Sequence, residues 1–314
     1  MPRLDCSSVS RSLLLACLLP LGAAACDMGK FTVNTTSKVL ARAQPSIRQE
    51  SDYDMAARAI PASLKTVEGF HVVNPDNESL TRILAEGYCQ YATGFVEDEW
   101  EVAQLDKKFD EAEYHSERAT KMFMRCMGYG LELLGGDWNK ALAGDVASFR
   151  AKVNGLDEDQ RIGALWTAIG LAGAINQNKD DIALISHLPK ARALLEKVVQ
   201  LDDAEGDRDP ATRALPHIAL GSMAVALSKA MGGDPQLGDK HFKRAMDITK
   251  GKFLLINVLY ARRYAVAVQD RALFHKSLVE VLETDPAIWP DQRLANEIAH
   301  RKAKRYLKRE KEWF

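Results

Sequence analysis

The sequence is poor in the groupings that chemistry at an active site usually needs. Its seven histidines, at positions 71, 115, 187, 217, 241, 275 and 300, never pair three or four residues apart. Neither His-Glu-x-x-His nor Cys-x-x-Cys occurs, so the familiar zinc arrangements are excluded. No Gly-x-Ser-x-Gly elbow is present. Gly128-Tyr129-Gly130 and Gly135-Gly136 lack the strand and following helix of a phosphate loop. No catalytic, cofactor or metal residue is therefore expected. Charge of one sign is lacking too: 42 basic against 43 acidic side chains leave a net charge of −1, which gives no field to gather nucleic acid. Long apolar runs are absent. The longest interior one, Leu165 to Ile175, is eleven residues broken only by Thr167, where a membrane span needs about 20. It reads as a buried helix.

Cysteine is scarce, and three of the five fall in the first 26 residues. Residues 1–25 have the order of a secretory signal: Arg3 and Arg11, the apolar run Leu13 to Leu21, then Ala23-Ala24-Ala25 before Cys26. A Cys directly after a small-residue cleavage site resembles a bacterial lipobox, with Ala23 where Leu is usual. Cys26 is therefore the expected lipidation site, and acyl chains there anchor a protein to a membrane without spanning it. An ordinary cleaved signal ending at a Cys is the plainer alternative. Residues 26–52 mix Thr, Asn, Ser, Gln and Lys with few large apolar groups and read as a tether. Cys89 and Cys126 fall on two arms of one predicted hairpin, with their midpoint near Lys107 in the turn. A disulfide is open to them, but helix axes about 8–10 Å apart favour buried free thiols.

What is present, from 53 to 314, is helical punctuation at repeat spacing. A helix from Asp52 onward, with Pro61 in a first turn, should end before Asn74-Pro75. Leu84-Ala85-x-x-Tyr88 and Ala119-x-x-x-Phe123-x-x-Cys126 then match the two helices of a tetratricopeptide repeat of about 34 residues. Between them the charged stretch Glu97 to Glu117 extends both arms into a solvated tip. Trp138 to Val153 reads as one connecting helix, and Asp157-x-x-Gln160 as a capping box for the central helix. Its partner runs from Lys190 to Leu201. A third pair combines His217–Met231 with a helix through Phe242 and Ala245. The fourth combines Phe253–Val268 with the helix through Phe274, Leu278 and Val281. A basic helix, Pro290 to Lys311, caps the stack; its cations read as mostly solvated, with contact to anionic lipid headgroups or an acidic partner face as the alternative. The fold class is all-α, a TPR-like α-solenoid of about four degenerate helical hairpins with extra terminal helices.

These segments resemble one family in particular. Leu165-Trp166-Thr167-Ala168, Asn176-x-x-Lys179-Asp180-Asp181 and Leu188-Pro189-Lys190 are similar to the T-component (TatT-like) lipoproteins of TRAP transporters. So are Tyr264-Ala265-Val266-x-Val268-Gln269-Asp270-Arg271-x-Leu273-Phe274 and Arg293-Leu294-Ala295-Asn296-x-Ile298-Ala299. Pro75-Asp76-Asn77 and Ala85-Glu86-Gly87-Tyr88 also fit, while Ala287-Ile288-Trp289 is more apolar than the family's usual linker. The resemblance covers about 55–314. It implies a periplasmic, lipid-anchored, non-enzymatic protein, on the inner or outer membrane, that oligomerises as a homotrimer. It also implies a partner, the periplasmic substrate-binding (P) component, and a small apolar or organic-anion ligand.

Ligand-path or partner-contact candidates are Trp166, Thr167, Gly170, Asn176, Lys179, Asp180, Tyr264, Gln269, Asp270 and Arg271. Each has a structural alternative: a core Trp, small residues that admit a second helix, a polar helix exit, a capped turn. A different functional class stays open, a TPR scaffold that binds peptide segments during outer-membrane assembly, as pilotins do.

Overall fold

The computed structural model describes residues 19–204, 208–228, 230 and 232–314, with side chains from residue 28. Residues 1–18 of the signal segment, and the Cys26 side chain, lie outside them. The chain is 83 % helical, with no strand among the described residues. No helix among them is long and apolar enough to cross a membrane.

Three helices open the structure: α1 (Leu19–Arg48), α2 (Tyr53–Val73) and α3 (Glu78–Tyr91). α3 runs through a π-helical turn, Ala92–Val96, into α4 (Glu97–Leu105), and α5 (Phe109–Leu134) returns antiparallel. α6 (Trp138–Ala143) and α7 (Val146–Asn154) lead to the central α8 (Arg161–Gln177). The short α9 (Ile182–Ile185) precedes α10 (Leu188–Ala204). α11 (Pro210–Ala226) and α12 (Pro235–Ile248) form the next pair. α13 (Leu254–Leu259) continues through a second π turn, Tyr260–Ala265, before α14 (Arg271–Glu283) and α15 (Arg293–Lys308).

Several expectations change. The stretch read as a tether is helical from its start to Arg48 and is packed on the body. Val33 and Ser37 are buried, and Leu40 and Ile47 join the core at the spacing of one helix face. Asn34 ties the helix down, its Oδ1 accepting from Asn74 Nδ2 at 2.9 Å and Asn77 Nδ2 at 2.7 Å. Pro61 lies well inside α2, not in its first turn; the helix starts at the Asp52 cap and buries Ala56, Ile60, Leu64 and Val67, which offsets one missing hydrogen bond. The single connecting helix is two, because Gly144 ends α6 and Asp145 caps α7 through Ser148 N. Asp157 accepts from Gln160 N at 3.2 Å, as half of a capping box would.

The expectation of free thiols is overturned. Cys89 and Cys126 form a disulfide with Cα atoms 5.4 Å apart. Small, fully buried Ala85 and Ala92 flank Cys89 by one turn, and Ala119 lies two turns before Cys126, which lets α3 and α5 approach closer than average helices do.

α8 is also wedged closely against α5. A Cβ on Gly170 would lie 2.6 Å from Met127 N, one on Gly163 2.8 Å from Leu134 N, and one on Gly130 2.5 Å from Thr167 N. The small residues of α8 thus admit a neighbouring backbone.

The terminal basic helix does not merely cap the stack. α15 returns to the first hairpin and pairs with α4. Asp98, 1 % exposed, meets Arg301 Nε at 3.2 Å, Lys302 Nζ at 2.9 Å and Arg305. Glu101 accepts from Tyr306 at 2.6 Å and from Lys302 at 3.2 Å. Burial pushes both carboxyls up, yet Lys302 and Arg305 outweigh it: Asp98 is held far below the carboxylate range and Glu101 is lowered to about 2. Buried ion pairs at the base of the charged hairpin therefore close the solenoid, a role not expected of Lys302 and Arg305, while the tip from Asp106 to Glu111 and the cations Lys304 and Lys308 are exposed as expected.

Candidate functional site

Closing the superhelix leaves a cavity of about 470 Å³ at its centre. Its walls come from α1, α2, α3, the first π turn, α8, α11, α13 and α15. Leu40, Ile47, Ile60, Leu64, Val67, Phe95, Trp166, Ile169 and Ile298 make it mainly apolar, and Cys89 of the disulfide lines it as well. The helical register explains the lining. α2 turns Ile60, Leu64 and Val67 inward at steps of four and three, while the π turn widens the helix and brings Thr93, Gly94 and Phe95 to the wall together.

Polar groups are few: Gln44, Ser46 and Arg48 from α1, Ser63 and Thr66 from α2, Gln90 and Tyr91 from α3, Thr93 from the π turn and Gln292 just before α15. Arg48 is the uncommon one. About one-third of its side chain is exposed, so it sits at the edge of the cavity. Its Nε is buried without a hydrogen-bond partner among the described residues, and its Nη1 comes only within 3.8 Å of Glu86 Oε1. Gln90 Nε2 donates to the same Glu86 oxygen at 2.9 Å. Burial raises Glu86, against the pull of Arg48 and Gln90. A guanidinium with free donors beside an apolar wall is arranged to receive a carboxylate or similar anion. Nothing here pairs a nucleophile with a base. No group of three or more His, Cys, Asp or Glu among the described residues is placed to hold a metal.

The candidates from sequence are not brought together. Trp166 lines the cavity and is 2 % exposed. Thr167 and Gly170 face α5, and Thr167 Oγ1 is buried without a partner among the described residues. Asn176 Nδ2 reaches Glu97 Oε1 at 3.3 Å. Lys179 and Asp180 lie on the surface just past α8. Lys179 is lowered by desolvation and by Arg263 and Arg262, which puts the end of α8 near the second π turn. There Tyr264 stacks on Tyr260, ring centres 5.0 Å apart. Gln269, Asp270 and Arg271 build a corner elsewhere. Gln269 adopts φ 57° and donates to Val266 O at 2.9 Å; Asp270 caps α14 through Leu273 N; Arg271 Nε donates to Glu310 at 2.6 Å. Sequence reasoning missed Arg48, Gln44, Gln90 and Phe95. The signal was the Val33, Ser37, Leu40, Ile47 periodicity, hidden among polar residues.

Comparison with known proteins places these features in context. The family model described as TRAP transporter T-component matches residues 49–314. An uncharacterized protein of Treponema pallidum (strain Nichols) is 24 % identical over 265 residues, which is 83 % of this chain and 79 % of the relative.

Proposed function

The chain belongs to the TRAP transporter T-component family, and from that premise we propose that it is a periplasmic, non-enzymatic scaffold that holds a small amphipathic organic anion and works with a substrate-binding protein. Its role in TRAP transport follows from family membership; ligand, partner and anchoring are the proposal. The observation that carries the ligand reading is the central cavity. Its 470 Å³ is ample for a small ligand, its walls suit an aliphatic or aromatic body, and Arg48 offers free donors to an anionic head. Glu86 beside it, already raised by burial, would shift its interaction with Arg48 as the anion arrives. Cys26 carries the lipid near the start of α1, which is packed on the body and so ties the anchor to it. The working form is a homotrimer docked to the P component.

Light-scattering mass of the full chain in mild detergent, alone and mixed with the substrate-binding component of a TRAP system from the same genome, tests the partner reading. A trimer that gains mass on mixing is the expected result. A monomer whose mass ignores the binding protein contradicts it.

A further inference from the structure

α15 carries a stripe of positive charge that the fold only half compensates. Arg301, Lys304 and Lys308 recur at steps of three and four, so they share one helix face. That face, with His300, Arg305, Arg309 and one acid, Glu297, which Arg293 meets at 3.5 Å, makes one wall of a groove of about 630 Å³, and Ser51, Tyr53 and Val102 contribute to the other. Below it Asp98, Glu101 and Asp106 pair with Arg305, Lys302 and Arg309. Arg301 also meets Asp98 and lies over the Tyr53 ring, 4.5 Å from its centre, with half its side chain still exposed. Lys304 and Lys308 are exposed and make no ion pair or hydrogen bond with any described residue. Like charges at these spacings repel by a few tenths of a kcal/mol per pair, a cost that packing alone does not require.

We infer that this groove docks an acidic segment of a soluble protein. The inference takes the Cys26 anchor and the existence of a protein partner from the proposed function, and adds the surface and its chemistry. Charge complementarity selects an anionic occupant, and the anchor's position selects protein over lipid. α1 is unbroken from residue 26 to Arg48, so the groove beside Ser51 and Tyr53 lies roughly 33 Å of helix from the acylated residue. The field of anionic headgroups decays within about 8 Å at physiological salt. An extended Glu- or Asp-rich segment can lay its carboxylates along Arg301, Lys304 and Lys308, as rim charges that speed and orient docking do.

The test uses the full chain in non-ionic detergent and a fluorescein-labelled peptide of alternating Glu and Ser, read by anisotropy. Binding should weaken roughly tenfold or more in Lys304→Glu/Lys308→Glu, and fall steeply between about 50 and 300 mM salt. Lys38→Glu/Lys240→Glu, with the same change in net charge away from the groove, should bind as the parent does. Equal loss in both double variants, or in neither, overturns the inference. So does groove-dependent binding of phosphatidylglycerol vesicles without peptide binding, or a groove variant that merely dissolves a homo-oligomer. Uptake of a fluorescent fatty acid by the cavity, measured on the same variants, should stay unchanged. Its absence in the parent chain speaks against the ligand reading and leaves the groove result separate.

Discussion

Replacing Gly170 by Ala sets two effects against each other. In a helix interior, Gly to Ala gains about 1 kcal/mol from propensity. Here the new Cβ would lie 2.6 Å from Met127 N and 2.7 Å from Phe123 O, both backbone atoms that no rotamer change can move. α8 and α5 would have to separate, and overpacking of this kind costs about 1–3 kcal/mol, more where backbone is the obstacle. The net expectation is a loss of about 1–2 kcal/mol, or roughly 1.5–3 °C in melting temperature for a chain of this size. Gly128→Ala is the matched control: it sits in α5 with nothing within 4 Å of the added carbon, so propensity alone acts. It should gain about 1 kcal/mol and roughly 1.5 °C. Circular dichroism melts of both variants decide the matter. If Gly170→Ala raises the melting temperature as Gly128→Ala does, the close seating of α8 on α5 is refuted.

Removing the Cys89–Cys126 bridge by Ser substitution should lower stability by about 4 kcal/mol, since the bridge closes a loop spanning a separation of 37 residues; denaturant unfolding of the variant measures it. Glu101 is lowered to about 2 from an ordinary 4.5, so its stabilising contribution is complete above pH 4.5 and is lost as pH falls toward 2, an acid sensitivity that Glu101→Gln should flatten in melts across that window. His217 is pushed down to about 4 from 6.5 by burial and then by His241, whose Nδ1 lies 2.9 Å away. The unfolded chain takes up a proton below pH 6.5 while the folded one resists, so stability should fall from pH 6.5 toward 4, and less so in His217→Gln. Asp98→Asn leaves Lys302 and Arg305 short of their buried partner and should cost about 3–5 kcal/mol by chemical denaturation.

The helical hairpins were legible because their signals are local. Pro75, Gly135-Gly136 and Asp285-Pro286 punctuate them, and the apolar steps between follow the helix period. Trp166 was legible as a large apolar residue on a buried helix, and it does face the cavity. The rest of the site was not, for two physical reasons. α1 owes its order to tertiary contacts: one apolar face and the Asn34 bonds hold it, while its overall composition resembles a linker. The closure of the superhelix depends on ion pairs between residues about 200 apart, Asp98 with Arg305 above all, and isolated stretches of charge read as solvated in either place. Without α1 and the closure these walls do not meet around a cavity, so Arg48 had no reason to stand out. The Cys89–Cys126 bridge was hidden likewise, because small neighbours set the distance between helices and an average spacing does not apply.

The central claim is that the cavity takes the apolar body of an amphipathic anion whose head is held at its edge by Arg48. Its most direct test is equilibrium titration of the full chain with a fluorescent fatty acid and with the matching fatty alcohol, in the parent, Arg48→Gln and the cavity-filling Ile169→Trp. The account predicts that the acid binds the parent, loses roughly tenfold in Arg48→Gln as a charge-assisted bond is removed, and fails to bind Ile169→Trp, while the alcohol is indifferent to Arg48. Equal binding of acid and alcohol, or acid binding unchanged when Ile169 is enlarged, would contradict it.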